Sequence, residues 1–113
     1  MTINKNNTKF DIDKYYLSKA LKKAIVAKNN GDIPVGAIIV YNENEKNTKM
    51  IRALKKVGVK DGEILASAYN KRNKNKDATS HAEIIAISKA CKKIKDFRLE
   101  DCTMYVIASK SSL

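Results

Sequence analysis

The order of hydrophobic patterns along the chain, α-β-β-α-β, predicts an α/β domain in which helices flank a mixed sheet. Two observations carry this reading. The β-branched run from Val35 to Tyr41 is continuously apolar rather than alternating, which marks a strand buried on both faces. A strand at residues 63–70, a helix starting near Ser80 and a strand at residues 103–108 then follow one another, which favours a right-handed crossover and at least one parallel pair. A length of 113 residues corresponds to one domain, so 1–113 reads as a single unit.

Residues 1–9 read as a frayed polar arm. Within residues 11–30, Leu17, Leu21, Ala24 and Ile25 recur at helical spacing, with Lys19, Lys22, Lys23 and Lys28 elsewhere on the wheel. Asn29-Asn30-Gly31 ends this helix, because Gly adopts the left-handed C′ conformation without a Cβ clash. Pro34 and Gly36 belong at the start of the first strand, before regular pairing begins. Residues 42–60 break the pattern. They read as a solvated insertion with a weak amphipathic helix, in which Met50, Ile51, Leu54 and Val57 line one side and Gly58 ends it. Asp61-Gly62 turns the chain into the second strand, and without the insertion strands one and two would form a plain hairpin. After a polar loop at 71–79, Ser80 with Glu83 makes a capping-box pattern, followed by Ile84, Ile85, Ile87, Cys91 and Ile94 as the expected buried stripe.

The longest apolar run is strand-sized, far below the roughly 18–20 residues that span a bilayer, so no membrane association is expected. The N-terminal residues are polar and offer no apolar h-region, and Cys91 and Cys102 make no disulfide framework. The expectation is a cytoplasmic protein. The formal charge is +11, which favours polyanionic partners. With twenty Lys against three Arg and no dominant cluster, it reads equally well as compositional bias.

The one histidine, His81, sits in Ser80-His81-Ala82-Glu83. Residues two apart on a regular helix point nearly opposite ways, so by spacing alone Glu83 is a cap and His81 an incidental first-turn residue. Asn70 is a common strand-ending residue, and Val35-Gly36-Ala37 would be core in any fold.

The wider context adds to this. Ile33-Pro34-Val35-Gly36-Ala37, the strand ending in Tyr69-Asn70, Asp77-Ala78-Thr79-Ser80-His81-Ala82-Glu83, and Arg98-Leu99-Glu100-Asp101-Cys102-Thr103-Met104-Tyr105-Val106 occur in an order that resembles the zinc-dependent cytidine/adenosine deaminase superfamily, and within it the bacterial tRNA adenosine deaminases. The resemblance covers residues 11–106 apart from the insertion. It implies a cytidine deaminase-like fold, with His81 as a zinc ligand and Glu83 as the proton shuttle. Zinc lowers the pKa of a bound water from about 15.7 to about 7, which supplies hydroxide at neutral pH. The resemblance further implies attack at C6 of a wobble adenosine in tRNA, giving inosine. Asn70 would bond the flipped nucleotide, and Val35, Gly36 and Ala37 would wall the base pocket. The same resemblance implies a homodimer, and the basic residues Lys71, Arg72, Lys74 and Lys76 beside the pocket are candidate RNA contacts of a binding module.

One departure stands out. The family follows its third strand with Pro-Cys-x-x-Cys, whose thiolates complete the zinc site, whereas here Val106 is followed by Ile107-Ala108-Ser109-Lys110-Ser111-Ser112-Leu113. Cys91 lies ten residues along a helix from His81, roughly 15 Å away. Cys102 begins the third strand, roughly 20 Å from where the missing ligands would follow it. The chain therefore reads as the N-terminal two-thirds of a deaminase, truncated after the third strand. A premature stop, frameshift, split gene or decayed copy would each produce it, and activity of this chain by itself is in doubt. The alternative is a catalytically inactive basic RNA-binding or subunit-pairing remnant. A cytidine, nucleotide or guanine deaminase relative is a further alternative, disfavoured by Asp77-x-Thr79-x-His81-Ala82-Glu83, although Ala78 stands where the tRNA enzymes have Pro.

Overall fold

The run expected to be buried on both faces forms the central strand, β1 (Val35–Tyr41). The computed structural model describes residues 9–72, 76, 80–96 and 98–108. In chain order the remaining elements are α1 (Lys9–Asn29) ahead of β1, then α2 (Thr48–Lys56), β2 (Ile64–Tyr69), α3 (Ala82–Ile94) and β3 (Cys102–Ala108). The sheet order is β2-β1-β3. β1 pairs with β2 from Gly36 opposite Tyr69, with an irregularity at Ile39/Val40, and with β3 from Val35 opposite Ala108 to Tyr41 opposite Cys102.

Both ladders are antiparallel, which bears out the hairpin relation of β1 and β2 and corrects the expected parallel pair. α3 carries the chain from one edge of β1 to the other. β2 and β3 therefore run parallel to each other with β1 between them, rather than side by side.

Alternation along β1 feeds two cores. Ala37, Ile39 and Tyr41 face α2 and α3, where Met50, Leu54, Val59, Ala82, Ala86, Ala90 and Ile94 join them. Ile38 and Val40 face α1, together with Tyr16, Ala20 and Tyr105. Each fully buried Val or Ile there contributes roughly 2 kcal/mol through the hydrophobic effect.

The helices meet the sheet through small residues, which corrects both expected stripes. α1 buries Tyr16, Ala20, Ala24 and Ala27, leaving Leu21 and Ile25 exposed. α3 buries Ala82, Ala86, Ala90 and Ile94, while Ile84 and Ile87 are exposed. Alanine at i and i+4 lets a helix axis approach the sheet closely, and close approach excludes larger side chains from the contact row. Gly36 shows how close the approach is: a Cβ there would lie 2.1 Å from Ala20 O and 2.6 Å from Ala24 N.

Ends follow local chemistry. After α1, Gly31 N–H bonds Lys28 O and Asp32 N–H bonds Ala27 O, with Gly31 at φ +77, a Schellman closure at the expected glycine. Gly58 closes α2 in the same way, at φ +73. The segment 42–60 is more than a solvated excursion. Asn47 caps α2 through Met50 N–H, and its amide nitrogen also donates to Glu100 Oε2 at 3.0 Å and Asp101 Oδ2 at 2.9 Å. Met50 and Leu54 complete the α3-side core.

Two outcomes test this packing. Gly36→Ala should destabilise the fold by about 3 kcal/mol, because backbone atoms of α1 cannot yield as a side chain would; urea unfolding reads this, and a loss under about 1 kcal/mol would refute the close contact. Tyr105 Oη donates to Asp13 Oδ1 at 2.7 Å, and burial, aided by that bond and its charge, pushes the phenol up to about 12. An unfolded tyrosine ionises near 10, so this stabilisation is intact below about pH 10 and is lost as pH rises towards about 12. Tyr105→Phe should cost about 1 kcal/mol at neutral pH and flatten the alkaline loss in unfolding measured across that window. An unchanged slope would show that Tyr105 does not carry it.

Candidate functional site

At one end of the sheet, three backbone and side-chain bonds gather residues far apart in sequence. Asn70 N–H donates to Val35 O at 3.1 Å, closing the β1–β2 ladder. Lys71 N–H donates to Ser80 O at 2.9 Å, which ties the end of β2 to the segment leading into α3. Ala82 N–H donates to the side-chain Oδ1 of Asn70 at 2.8 Å. The first N–H groups of a helix have no partner within it, so Asn70 supplies from another element the oxygen that a local cap would have given.

This replaces the expected capping box. The cap position belongs to His81, at φ −84 and ψ 142, whose side chain makes no cap bond, and Ile85 N–H donates to its carbonyl. Ser80 falls one residue outside the cap, and Glu83 becomes the second helical residue. Because His81 is extended rather than helical, the rule that residues two apart on a helix diverge does not apply to it and Glu83. Both are half-buried. A carboxylate in the first turn also interacts favourably with the positive end of the helix dipole.

Asn70 is 3% exposed, and its side chain is held at the helix start through this bond to its Oδ1. Val35 and Ala37 face the α3 side, where Ala37 packs with Ala82. Gly36 faces the opposite way, into α1, so the structure assigns it to helix packing rather than to a pocket wall. Of the basic loop, Lys71 places its ammonium 4.9 Å from the Tyr69 ring centroid, Arg72 is half-buried with an unpartnered Nε, and Lys76 is exposed at φ 49. Lys74 lies outside the described residues, as do Asp77, Ala78 and Thr79. A groove of about 640 Å³ lies elsewhere, between α1 and β3, lined in part by Ile12, Leu17, Met104 and Tyr105.

Zinc requires converging donors, tetrahedral and about 2.0–2.3 Å from the metal. Among the described residues, no three His, Cys, Asp or Glu side chains form such a group. Cys91 is nearly three turns along α3 from His81. Cys102 pairs with Tyr41, at the end of β1 remote from Val35, roughly 20 Å away. Its thiol is pushed up to about 11, first by burial and then by the charges of Asp101 and Cys91, so it stays protonated where a ligand would be a thiolate. The donors here do not fit a zinc site beyond the single imidazole of His81.

This fold and this junction of strand end and helix start define a deaminase-type domain. The sequence profile of the MafB19-like deaminase family matches residues 42–110, and the chain belongs to that family, within the cytidine/adenosine deaminase superfamily. Its resemblance is to tRNA-specific adenosine deaminases: the protein of Aquifex aeolicus is 38% identical over 92 residues, covering 81% of this chain and 48% of that protein. That of Bacillus subtilis is 34% identical over 94 residues, covering 83% and 47%. Among solved structures, one from a study of A-to-I editing by tRNA:A34 deaminases at the wobble position of transfer RNA superposes with a TM-score of 0.63 at 27% identity, over 82% of this chain and 57% of that one. Guanine deaminase from Bacillus subtilis gives 0.60 at 33% identity, over 82% and 48%. The chain spans about half the length of the curated relatives it matches. No helix among the described residues is long and apolar enough to cross a membrane.

Asn70 was legible as a strand end, and a nucleotide contact there is what the resemblance implies. Its capping of α3 had no local signal, because the two residues are twelve apart and meet only through the β1–β2 ladder. Asn70→Ala should cost about 2 kcal/mol and speed hydrogen exchange at Ala82 N–H, both read on the full chain; unchanged exchange would mean that the helix start is held by other bonds.

Proposed function

We propose that this chain is the base-binding and proton-transferring part of a tRNA adenosine deaminase acting hydrolytically at the wobble adenosine to give inosine. The observation that carries the reading is the bond from Ala82 N–H to Asn70 Oδ1, which brings the Asn70 side chain to the start of α3, the turn that carries His81 and Glu83. The likeness to tRNA-specific adenosine deaminases supports the substrate class. In this reading Val35 forms an apolar side of the base site, with the fully buried Ala37 behind it in the core, and Asn70 Nδ2 donates to the nucleotide. Glu83 takes one proton from the attacking water at its carboxylate and delivers it to the ring nitrogen, then takes the proton of the new C6 hydroxyl and delivers it to the amino group, so that the C6–N6 bond breaks and ammonia leaves as C6=O forms. His81 is a metal ligand only where further donors join it, and the described residues do not supply them. The same shortage favours a second reading: a deaminase-derived domain that binds RNA, or pairs with another subunit, without turnover.

Fusing the corresponding segment of an intact tRNA deaminase after Val106 tests the first reading against the second. The fusion should hold about one zinc per chain and convert tRNA adenosine to inosine, while Glu83→Gln in that fusion should keep the metal and lose deamination by at least about a hundredfold. A folded, zinc-loaded fusion that leaves tRNA unchanged would overturn the tRNA reading, and guanine turnover by it would assign the domain to the free-base branch.

A further inference from the structure

Among the described residues β2 is an edge strand, and one row of its backbone groups has no ladder partner there. Lys89, from α3, donates its ammonium to Ser67 O on that strand at 3.2 Å. Lys71, just past the end of β2, lies over the Tyr69 ring. Lys23 comes from α1 on the other face of the sheet: its Cβ lies 2.9 Å from where a Gly36 side chain would begin, and Gly36 pairs with Tyr69. Lys19, Lys22 and Lys23 further line a groove of about 270 Å³ with Ile38, Ile64 and Ser67. Three elements thus send cations to one sheet edge.

Elsewhere Lys93 is paired with Glu63 at 3.1 Å, and Lys49, Arg52, Lys56 and Lys95 line a second cationic groove between α2 and the end of α3, on the side of the protein that carries the control pair Lys55 and Lys56. Burial is the main cause that lowers the pKa of Lys89; the charges of Lys71 and Lys23 lower it further, and only Tyr69 acts the other way. Like charges held together oppose folding, and a bound polyanion relieves that repulsion while releasing its own counterions. The strip also reaches the candidate site. Lys71 follows Asn70 directly, and Lys89 stands eight residues beyond His81, roughly 12 Å along α3.

We propose that Lys23, Lys71 and Lys89 form a phosphate-binding strip along the β2 edge that holds the backbone of an RNA whose adenosine lies beside Asn70 and His81. The proposal rests on the RNA-directed reading of the site and adds the residues that grip the strand. Two of them, Lys23 and Lys89, lie outside the basic loop that the sequence singled out.

Binding of a labelled RNA hairpin to the full chain, titrated across salt, tests it. The pair Lys23→Gln with Lys89→Gln should weaken binding about tenfold and reduce the salt slope by about 1.4, at about 0.7 per phosphate contact on a single strand. Lys55→Gln with Lys56→Gln, of equal charge change on α2, should alter affinity less than about twofold, and Lys23→Arg with Lys89→Arg should retain it. Equal losses for both glutamine pairs would overturn the strip and leave the RNA reading standing. A lower melting temperature with unchanged affinity would overturn it too, showing that the lysines only cover a strand edge. A wild-type chain that ignores the hairpin but binds polyglutamate would overturn the RNA reading itself and point to an acidic protein.

Discussion

β1 has a partner strand on each edge and a helical layer on each face, so its seven residues constrain every other element. A strand in that position turns neither face to water, and the one polar side-chain group it carries, the Tyr41 hydroxyl, is buried without a hydrogen-bond partner among the described residues. Ala37, Ile39 and Tyr41 on one face and Ile38 and Val40 on the other are almost fully buried. Once β1 is fixed, the antiparallel ladders dictate where β2 and β3 end. The end of β2 then delivers Asn70 to Val35, and β3 delivers Ala108 to the same end of the sheet.

Helix packing follows from the same constraint. Rows of alanine on α1 and α3 bring their backbones down onto the sheet, and Gly36 removes the one Cβ that would hold α1 away. The cost is an outward display of larger apolar groups, including Leu21, Ile25, Ile84 and Ile87. Close packing also lets Lys23 and Lys89 approach one edge from opposite faces of a single layer of sheet. Thicker helix contacts would have separated them.

The site is therefore a junction built by backbone geometry, with chemistry added at its margin. A remote asparagine, not the local serine, meets the first N–H of α3. With the cap supplied by Asn70, the His81 side chain makes no cap bond. Metal chemistry is another matter. A tetrahedral ion needs several donors within a few ångströms, and the β1–β3 register sends Cys102 to the far end of the sheet.

Element order, the two-sided burial of β1, the glycine closures after α1 and α2, and the candidate residues His81, Glu83 and Asn70 are legible in the amino-acid order. These are properties of local spacing, of backbone conformations that only certain residues adopt, or of motifs in a given order. The rest depends on contacts across the fold. Periodicity pointed to Leu21, Ile25, Ile84 and Ile87 as buried because it weighs apolar size, whereas a close-packed interface selects the residues small enough to fit. The antiparallel placement of β3 beyond β1, the cap supplied to α3 by Asn70, the transfer of Gly36 from pocket to packing, and the meeting of Lys23, Lys71 and Lys89 all join residues distant in sequence. No local pattern records such meetings, because they are set by strand register and by how closely two helices settle onto one sheet.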